Sequence, residues 1–221
     1  MAKILREGTG YQILYKERGE DSERIASSGM ACLTRLDVPV PGIIAAADSG
    51  KRIRLIDKKY YLVCQGRFEN PQGVMEDLLF HDSRSNRTFP VKRMRKGVKE
   101  ARLSYDVISY NAEKDLYYVS VVLDTGRTHQ IRTQFASRKH PLAGDGKYGS
   151  RIKCPIALVM AELTYDEGEG TEPVTVKIDP LTELPSVGYQ LPSIMEAGTA
   201  LGLGVTLNTI RSSYLNTSEP S

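Results

Sequence analysis

Two stretches of the chain carry residue types at spacings that could do chemistry. The first is Thr34-Arg35-Leu36-Asp37, followed by Val38-Pro39-Val40-Pro41-Gly42. It sets a carboxylate beside a cation, in a turn stiffened by two prolines, just before an apolar run. On its own such an Asp more commonly serves as a turn residue or a surface ion pair. The second runs Thr125-Gly126-Arg127-Thr128-His129-Gln130-Ile131-Arg132 and leads to His140-Pro141-Leu142-Ala143-Gly144-Asp145-Gly146-Lys147-Tyr148-Gly149. Cations, hydroxyls and amides meet there at a helix start, where backbone N–H groups and the helix dipole favour anions. A capped helix with a solvated basic face would use the same residues. Other chemistries lack their parts. His81, His129 and His140 have no HxxxH or HExxH spacing and no cysteine nearby, so no metal is expected. There is no G-x-S-x-G elbow, no GxGxxG and no GxxxxGK[ST], so neither a serine hydrolase nor a nucleotide-cradling loop is indicated.

Charge points to the kind of partner. The net charge is only +3, but it is unevenly spread. The windows Arg84–Arg102 and Arg127–Lys153 hold 15 of the 30 basic residues and two of the 27 acids, a net +13. The rest of the chain is at −10. Such a split presents a basic surface to something anionic, nucleic acid first. One continuous basic face, including Lys92, Arg93, Arg95 and Lys96, is expected around Asp37. The three widely spaced cysteines exclude a disulfide scaffold and suggest a reducing, cytoplasmic setting. No run of about 18 apolar residues suggests a membrane span, and the charged start is unlike a signal peptide.

The elements that must position these residues are mostly strands. A weak strand is expected at Tyr11–Tyr15. Gly42–Ala47 reads as a buried strand or one helical turn, and periodicity cannot decide so short a run. Tyr60–Gln65 reads as a strand stopped by Gly66. Arg84–Arg102 reads as loop with an edge strand. Leu103–Tyr110 and Leu116–Leu123 form a hairpin around the polar loop Asn111–Asp115, with Tyr117, Val119, Val121 and Leu123 on a single core face. A helix is predicted from near Thr128, capped by that hydroxyl, burying Ile131 with Phe135 and ending before Pro141. Ile156–Leu163 and Pro173–Ile178 are further strands. Ser193 and Glu196 have capping-box spacing. Hairpin-joined strands with few helices argue for an α+β fold with a mixed, largely antiparallel sheet. Residues 1–183 are expected to form one catalytic domain and 184–221 an appendage.

The sequence resembles the RluA-like family of RNA pseudouridine synthases. TGRTHQIR and HPLAGDGKYG, at their spacing, carry the resemblance most specifically. Arg35-Leu36-Asp37 with Gly42 is similar to the family's catalytic motif, and Lys58-Lys59-Tyr60 with Gly66 to its KxY strand. Gly97–Tyr105 is similar to the block before TGRTHQIR. The chain departs from the pattern at Val40-Pro41, where Thr-Ser is usual, and at Thr34, where His is common. The segment between GIIAAA and Tyr60 is short, and Tyr15–Gly19 stands where an Asn-Lys-Pro-Ala-Gly strand is usual. No separate N-terminal RNA-binding domain is expected.

The resemblance implies that specific uridines in rRNA or tRNA are isomerised to pseudouridine. It implies Asp37 as the catalytic carboxylate, Arg132 as its ion-pair partner and Tyr60 as the ring against the uracil, with a possible part in removing the C5 proton. Arg35 would fill the space left by the flipped base. Arg127, Thr128, His129 and Gln130 would contact RNA, with Lys92, Arg93, Arg95 and Lys96 on its backbone. No cofactor is expected, and the protein is expected to act as a monomer. Two other readings are weighed. The alternative is a non-catalytic RNA-binding module that keeps the fold. An Asp-dependent glycosidase fails, because it would need paired carboxylates and no second acid is expected beside Asp37.

Overall fold

The computed structural model describes residues 3–26, 29–168 and 171–187. Ser193 and Glu196 lie outside the described residues, as does nearly all of the expected appendage. Eleven strands form one sheet, in the order β1-β2-β4-β10-β5-β9-β8-β6-β7, with β3 on β4 and β11 on β10. These are β1 Lys3–Gly8, β2 Tyr11–Lys16, β3 Met30–Cys32, β4 Gly42–Asp48, β5 Arg54–Gln65, β6 Gln72–Asp82, β7 Arg87–Val91, β8 Val98–Asn111, β9 Leu116–Leu123, β10 Leu158–Asp166 and β11 Val174–Lys177. Every pairing is antiparallel except that of β4 with β10, which is parallel and rests on one bridge, Met160 to Gly42. The mixed, largely antiparallel sheet is therefore as expected. The β4–β10 junction is a seam between two halves, and the segment carrying Asp37 enters it.

Gly42 is needed at that seam. Its φ is +138° and a Cβ there would collide with the Met160 backbone, so only a residue without one lets the strands approach. Beyond Gly42, Ile43, Ile44, Ala45, Ala46 and Ala47 are all buried, which settles that run as a strand covered on both faces.

The β8–β9 hairpin pairs the expected residues, but β8 starts at Val98 rather than Leu103, inside the stretch read as loop, and the connection is tightened to 112–115. There the Asn111 carboxamide oxygen accepts from Lys114 N, and Asp115 takes a positive φ. β9 differs from expectation in burying both faces. Tyr117, Val119 and Val121 join the larger core, while Leu116 and Tyr118 join a second core with Tyr61, Val63, Val159 and Leu184. Leu184 and Val187 still pack there, so the packed unit runs a few residues past 183.

Among the described residues α1, Ser22–Ile25, and α3, Pro180–Glu183, are single turns, and the one longer α-helix is α2, Gln130–Ser137. Ile131 and Phe135 are buried together, as predicted. The start differs. Thr128 does not cap it; His129 precedes it at φ 54° with no side-chain cap. The side chain of Gln130 closes the turn instead, accepting from Thr125 Oγ1 and Arg127 N and donating to the Arg102 carbonyl. The helix ends before Pro141 through Lys139, which takes a positive φ while His140 N returns to the Phe135 carbonyl.

Candidate active site

Asp37 projects from the segment between β3 and β4 into a cleft of about 770 Å³. The wall is built from residues 32–40, from Lys58 and Tyr60 on β5, from Leu123 and Leu158 at neighbouring strand ends, and from residues 126–132 at the start of α2. The cleft thus straddles the seam of the sheet.

Its centre is a chain of charge. Arg132 Nη1 donates to Asp37 Oδ2 at 2.9 Å. The rest of the guanidinium faces Asp145, with Nε to Oδ2 at 2.7 Å and Nη2 to Oδ1 at 2.9 Å. Arg132 also lies over the Tyr148 ring, 5.1 Å from its centroid. Burial disfavours the Arg132 cation, but the hydrogen bonds and charge of Asp145, then of Asp37, outweigh it and hold its pKa above the ordinary value. The pairing of Asp37 with Arg132, inferred from two blocks distant in sequence, is present in the fold. Asp145 is the carboxylate that sequence reasoning missed, although it stands in the second signature block. A buried arginine with one carboxylate partner was the available signal, because a planar fork offers a second bidentate face. Its side chain is 2% exposed and both oxygens are engaged. It cannot serve as the acid of a paired-carboxylate glycosidase, and that reading loses its support.

His129 stands on the other side of Asp37, with Nε2 3.6 Å from Oδ2. Its Nδ1 meets the Tyr148 hydroxyl at 2.9 Å, and that hydroxyl already accepts from Thr88 N at 2.8 Å. The Tyr148 proton is then free to go to Nδ1, which leaves the imidazole proton on Nε2, facing Asp37. Burial pulls the His129 pKa down to about 4, against the opposing pull of Asp37, so the ring is neutral at pH 7. Tyr60 is buried against the same pocket. Burial, then the charge of Asp37, pushes its phenol well above the usual range. It stays protonated, which suits a stacking surface and disfavours a phenolate base.

The Val40-Pro41 departure is compensated from β2. Lys16, fully buried, donates through Nζ to the carbonyls of Glu17, Val38 and Val40 at 3.1, 3.1 and 2.8 Å. Arg18 donates to the Pro39 carbonyl at 2.7 Å and to Ile156 O at 2.9 Å. The Pro41 carbonyl accepts from Met160 N. The segment is held by its carbonyls, without the hydroxyls that Thr-Ser would bring.

The other assigned residues divide. Arg35 lines the cleft and pairs with Glu23 at 2.9 Å on the exposed rim. Arg127 and Thr128 also line it; Arg127 Nε donates to Glu100 O, and the Thr128 carbonyl accepts from Thr88 Oγ1. Gln130 also lines the cleft, but it is 2% exposed and its side chain is committed to the internal bonds described above, so it shapes the turn. Lys92, Arg93, Arg95 and Lys96 are exposed in the turn after β7, at the sheet edge, and do not line the cleft. The expectation of one continuous basic face is corrected further by internal pairing. Arg102 binds Glu76 and Asp124, and Arg138 binds Asp77. Among the described residues there is no cluster of three or more His, Cys, Asp or Glu that could hold a metal.

The sequence pattern described as RNA pseudouridylate synthase matches residues 26–137. The chain belongs to that family. An uncharacterized RNA pseudouridine synthase of Bacillus subtilis, YhcT, is 31% identical over 129 residues, covering 54% of this chain and 41% of that protein. The ribosomal large subunit pseudouridine synthase D of Nitrosomonas europaea is 32% identical over 128 residues, covering 52% of this chain and 34% of that protein. The chain thus spans less than half the length of these curated relatives. Human RNA pseudouridylate synthase domain containing 1 superposes with a TM-score of 0.68 at 17% identity, covering 100% of this chain and 97% of the other, a likeness of fold. The family match ends at residue 137, so Asp145 and Tyr148 stand outside it, and the hydrogen bonds of Asp145 to Arg132 and of Tyr148 to His129 tie them to the site.

Proposed function

We propose that this chain is an RNA pseudouridine synthase that isomerises uridine in rRNA or tRNA, with Asp37 as its catalytic carboxylate. The observation that carries the reading is the clamped Asp37, held by Arg132 and faced by Tyr60 in one cleft. The reaction breaks the C1′–N1 bond, turns the base, joins C1′ to C5 and releases the C5 proton. It consumes no redox equivalent. Asp37 either attacks C1′ or removes a ribose proton, and both routes use an ionised carboxylate, which the Arg132 hydrogen bond orients. The phenol of Tyr60 offers a flat surface for the uracil. The base must leave its stack, at a cost of a few kcal/mol. Arg35 suits the vacated space, since its exposed pair with Glu23 is worth under about 1 kcal/mol and yields readily. The name of the Nitrosomonas relative supports rRNA as the first substrate to try.

The test is tritium release from C5-labelled RNA made in cells lacking the gene. Wild type should release tritium. Asp37→Asn should abolish release while RNA affinity stays within about a few-fold, because affinity rests mainly on phosphate contacts. No release by wild type, with tight binding retained, would establish the binding-module reading instead.

A further inference from the structure

Five cationic side chains line the cleft: Arg35, Lys58, Arg127, Arg132 and Lys147. Four have an acceptor inside the protein. Arg35 has Glu23, Arg127 has the Glu100 carbonyl, Arg132 has Asp37 and Asp145, and Lys147 has the Asn86 carbonyl. Lys58, among the described residues, has no hydrogen bond and no ion pair. It is half-buried, and burial alone lowers its pKa, with no neighbouring carboxylate to oppose the shift. A partly desolvated charge without a counter-ion is unfavourable, and it is stable where an anion from outside completes it.

Its placement says which anion. Lys58 and Tyr60 are two apart on β5, so both project to the same face, about 6–7 Å apart along the strand. Lys59, between them, points the other way and approaches Glu162 at 4.0 Å. The ammonium lies against Gly126, where a Cβ would stand 3.7 Å from Nζ, so the missing side chain leaves room beside it. A nucleotide whose base lies on Tyr60 and whose C1′ is at Asp37 carries its own phosphate about one ribose away, on the scale of that strand spacing. We infer that Lys58 is the phosphate-binding residue for the flipped nucleotide itself, anchoring its backbone while the base turns. This rests on the reading of RNA as substrate, and it concerns binding, where the proposed activity concerns isomerisation.

Filter binding of total RNA from cells lacking the gene, measured across a salt series, tests it. Lys58→Met keeps the stem and removes the charge. It should weaken binding on the order of tenfold and lower the slope of log affinity against log salt by about 0.7–0.9, the loss of one phosphate contact. Lys58→Arg should restore the slope, and Lys59→Met should leave it unchanged. A slope in Lys58→Met equal to wild type overturns the inference. A second measurement needs no variant: amine acylation of the wild type, read by mass spectrometry, should show RNA protecting Lys58 far more than Lys59. Equal protection also overturns it. If wild type releases no tritium yet both results hold, the isomerase reading falls and the phosphate site stands. If tritium is released but neither holds, the reverse is true.

Discussion

At Arg132 one guanidinium serves two carboxylates of different fate. Asp145 takes the bidentate fork and is sealed from solvent, while Asp37 takes one N–H and keeps a face toward the cleft. This division predicts different outcomes for the two acids. Asp145→Asn breaks a buried pair and should cost roughly 3–5 kcal/mol of stability, read by urea denaturation, with tritium release reduced through a misaligned Arg132. Asp37→Asn should cost far less stability and remove activity. His129 supplies a pH test. Its folded pKa, about 4, lies below the ordinary 6.5, so the folded chain binds fewer protons than the unfolded one between those values. Its contribution to stability is therefore complete above about pH 6.5 and lost as pH falls toward 4. Melting curves should show a smaller acid-side decline in His129→Asn than in wild type, and an NMR titration should find the ring neutral, with its proton on Nε2, at pH 7.

At the scale of elements, the Asp37 segment behaves as a strap fastened through its carbonyls to β2. Lys16 provides two of the bonds, to the Val38 and Val40 carbonyls, and gives a third to the neighbouring Glu17 carbonyl; burial lowers its pKa to about 8. An ammonium has three protons for three carbonyls, and an amine has two. Above about pH 8 the charge and one of the three bonds are lost, which weakens the hold on the strap, so the pH–rate profile should decline on the alkaline side. Lys16→Met should be poorly active and lack that decline. Linkage has the opposite sign for global stability. Between pH 8 and 10.5 the unfolded chain holds the proton that the folded one has lost, so this group's contribution to stability rises with pH. How far such elements are legible in the sequence depends on periodicity. The β8–β9 hairpin shows because alternation and an Asn turn agree. β6 was not anticipated because its inward Asp77, paired with Gln134 and Arg138, interrupts the apolar pattern. The two-sided burial of β9 escaped for a related reason, since a strand covered on both faces has no polar face to reveal it. The pairing of Asp37 with Arg132 was legible only through family resemblance, because nothing local joins positions 95 residues apart. Lys16 and Arg18 were hidden more completely, since their partners are backbone carbonyls that carry no residue signature.

For the whole molecule, the basic windows include cleft cations, internally paired cations and the outlying turn Lys92–Lys96. β7 runs from the site, where Thr88 meets Tyr148 and Thr128, out to that turn. Five strand residues span about 17 Å, so RNA seated in the cleft needs an extended or duplex flank to reach it. Replacing Lys92, Arg93, Arg95 and Lys96 together by Gln should flatten the salt dependence of RNA binding by several units while leaving kcat at saturating RNA close to wild type. An unchanged slope would mark the turn as solvated surface. The seam between β4 and β10 carries a consequence for how the molecule is made. β1 to β4 leave the ribosome early and can pair among themselves, yet β4 meets β10 only when Met160 arrives, and the bond from Arg18 to Ile156 spans 138 residues. During that interval the Gly42 end of a strand apolar on both faces is paired by β2 alone, and such an uncovered stretch is a template for wrong pairing. Asp37 is translated early but becomes a clamped carboxylate only once α2, Asp145 and β10 have followed, so a nascent chain can display the Asp37 motif well before the clamped site exists.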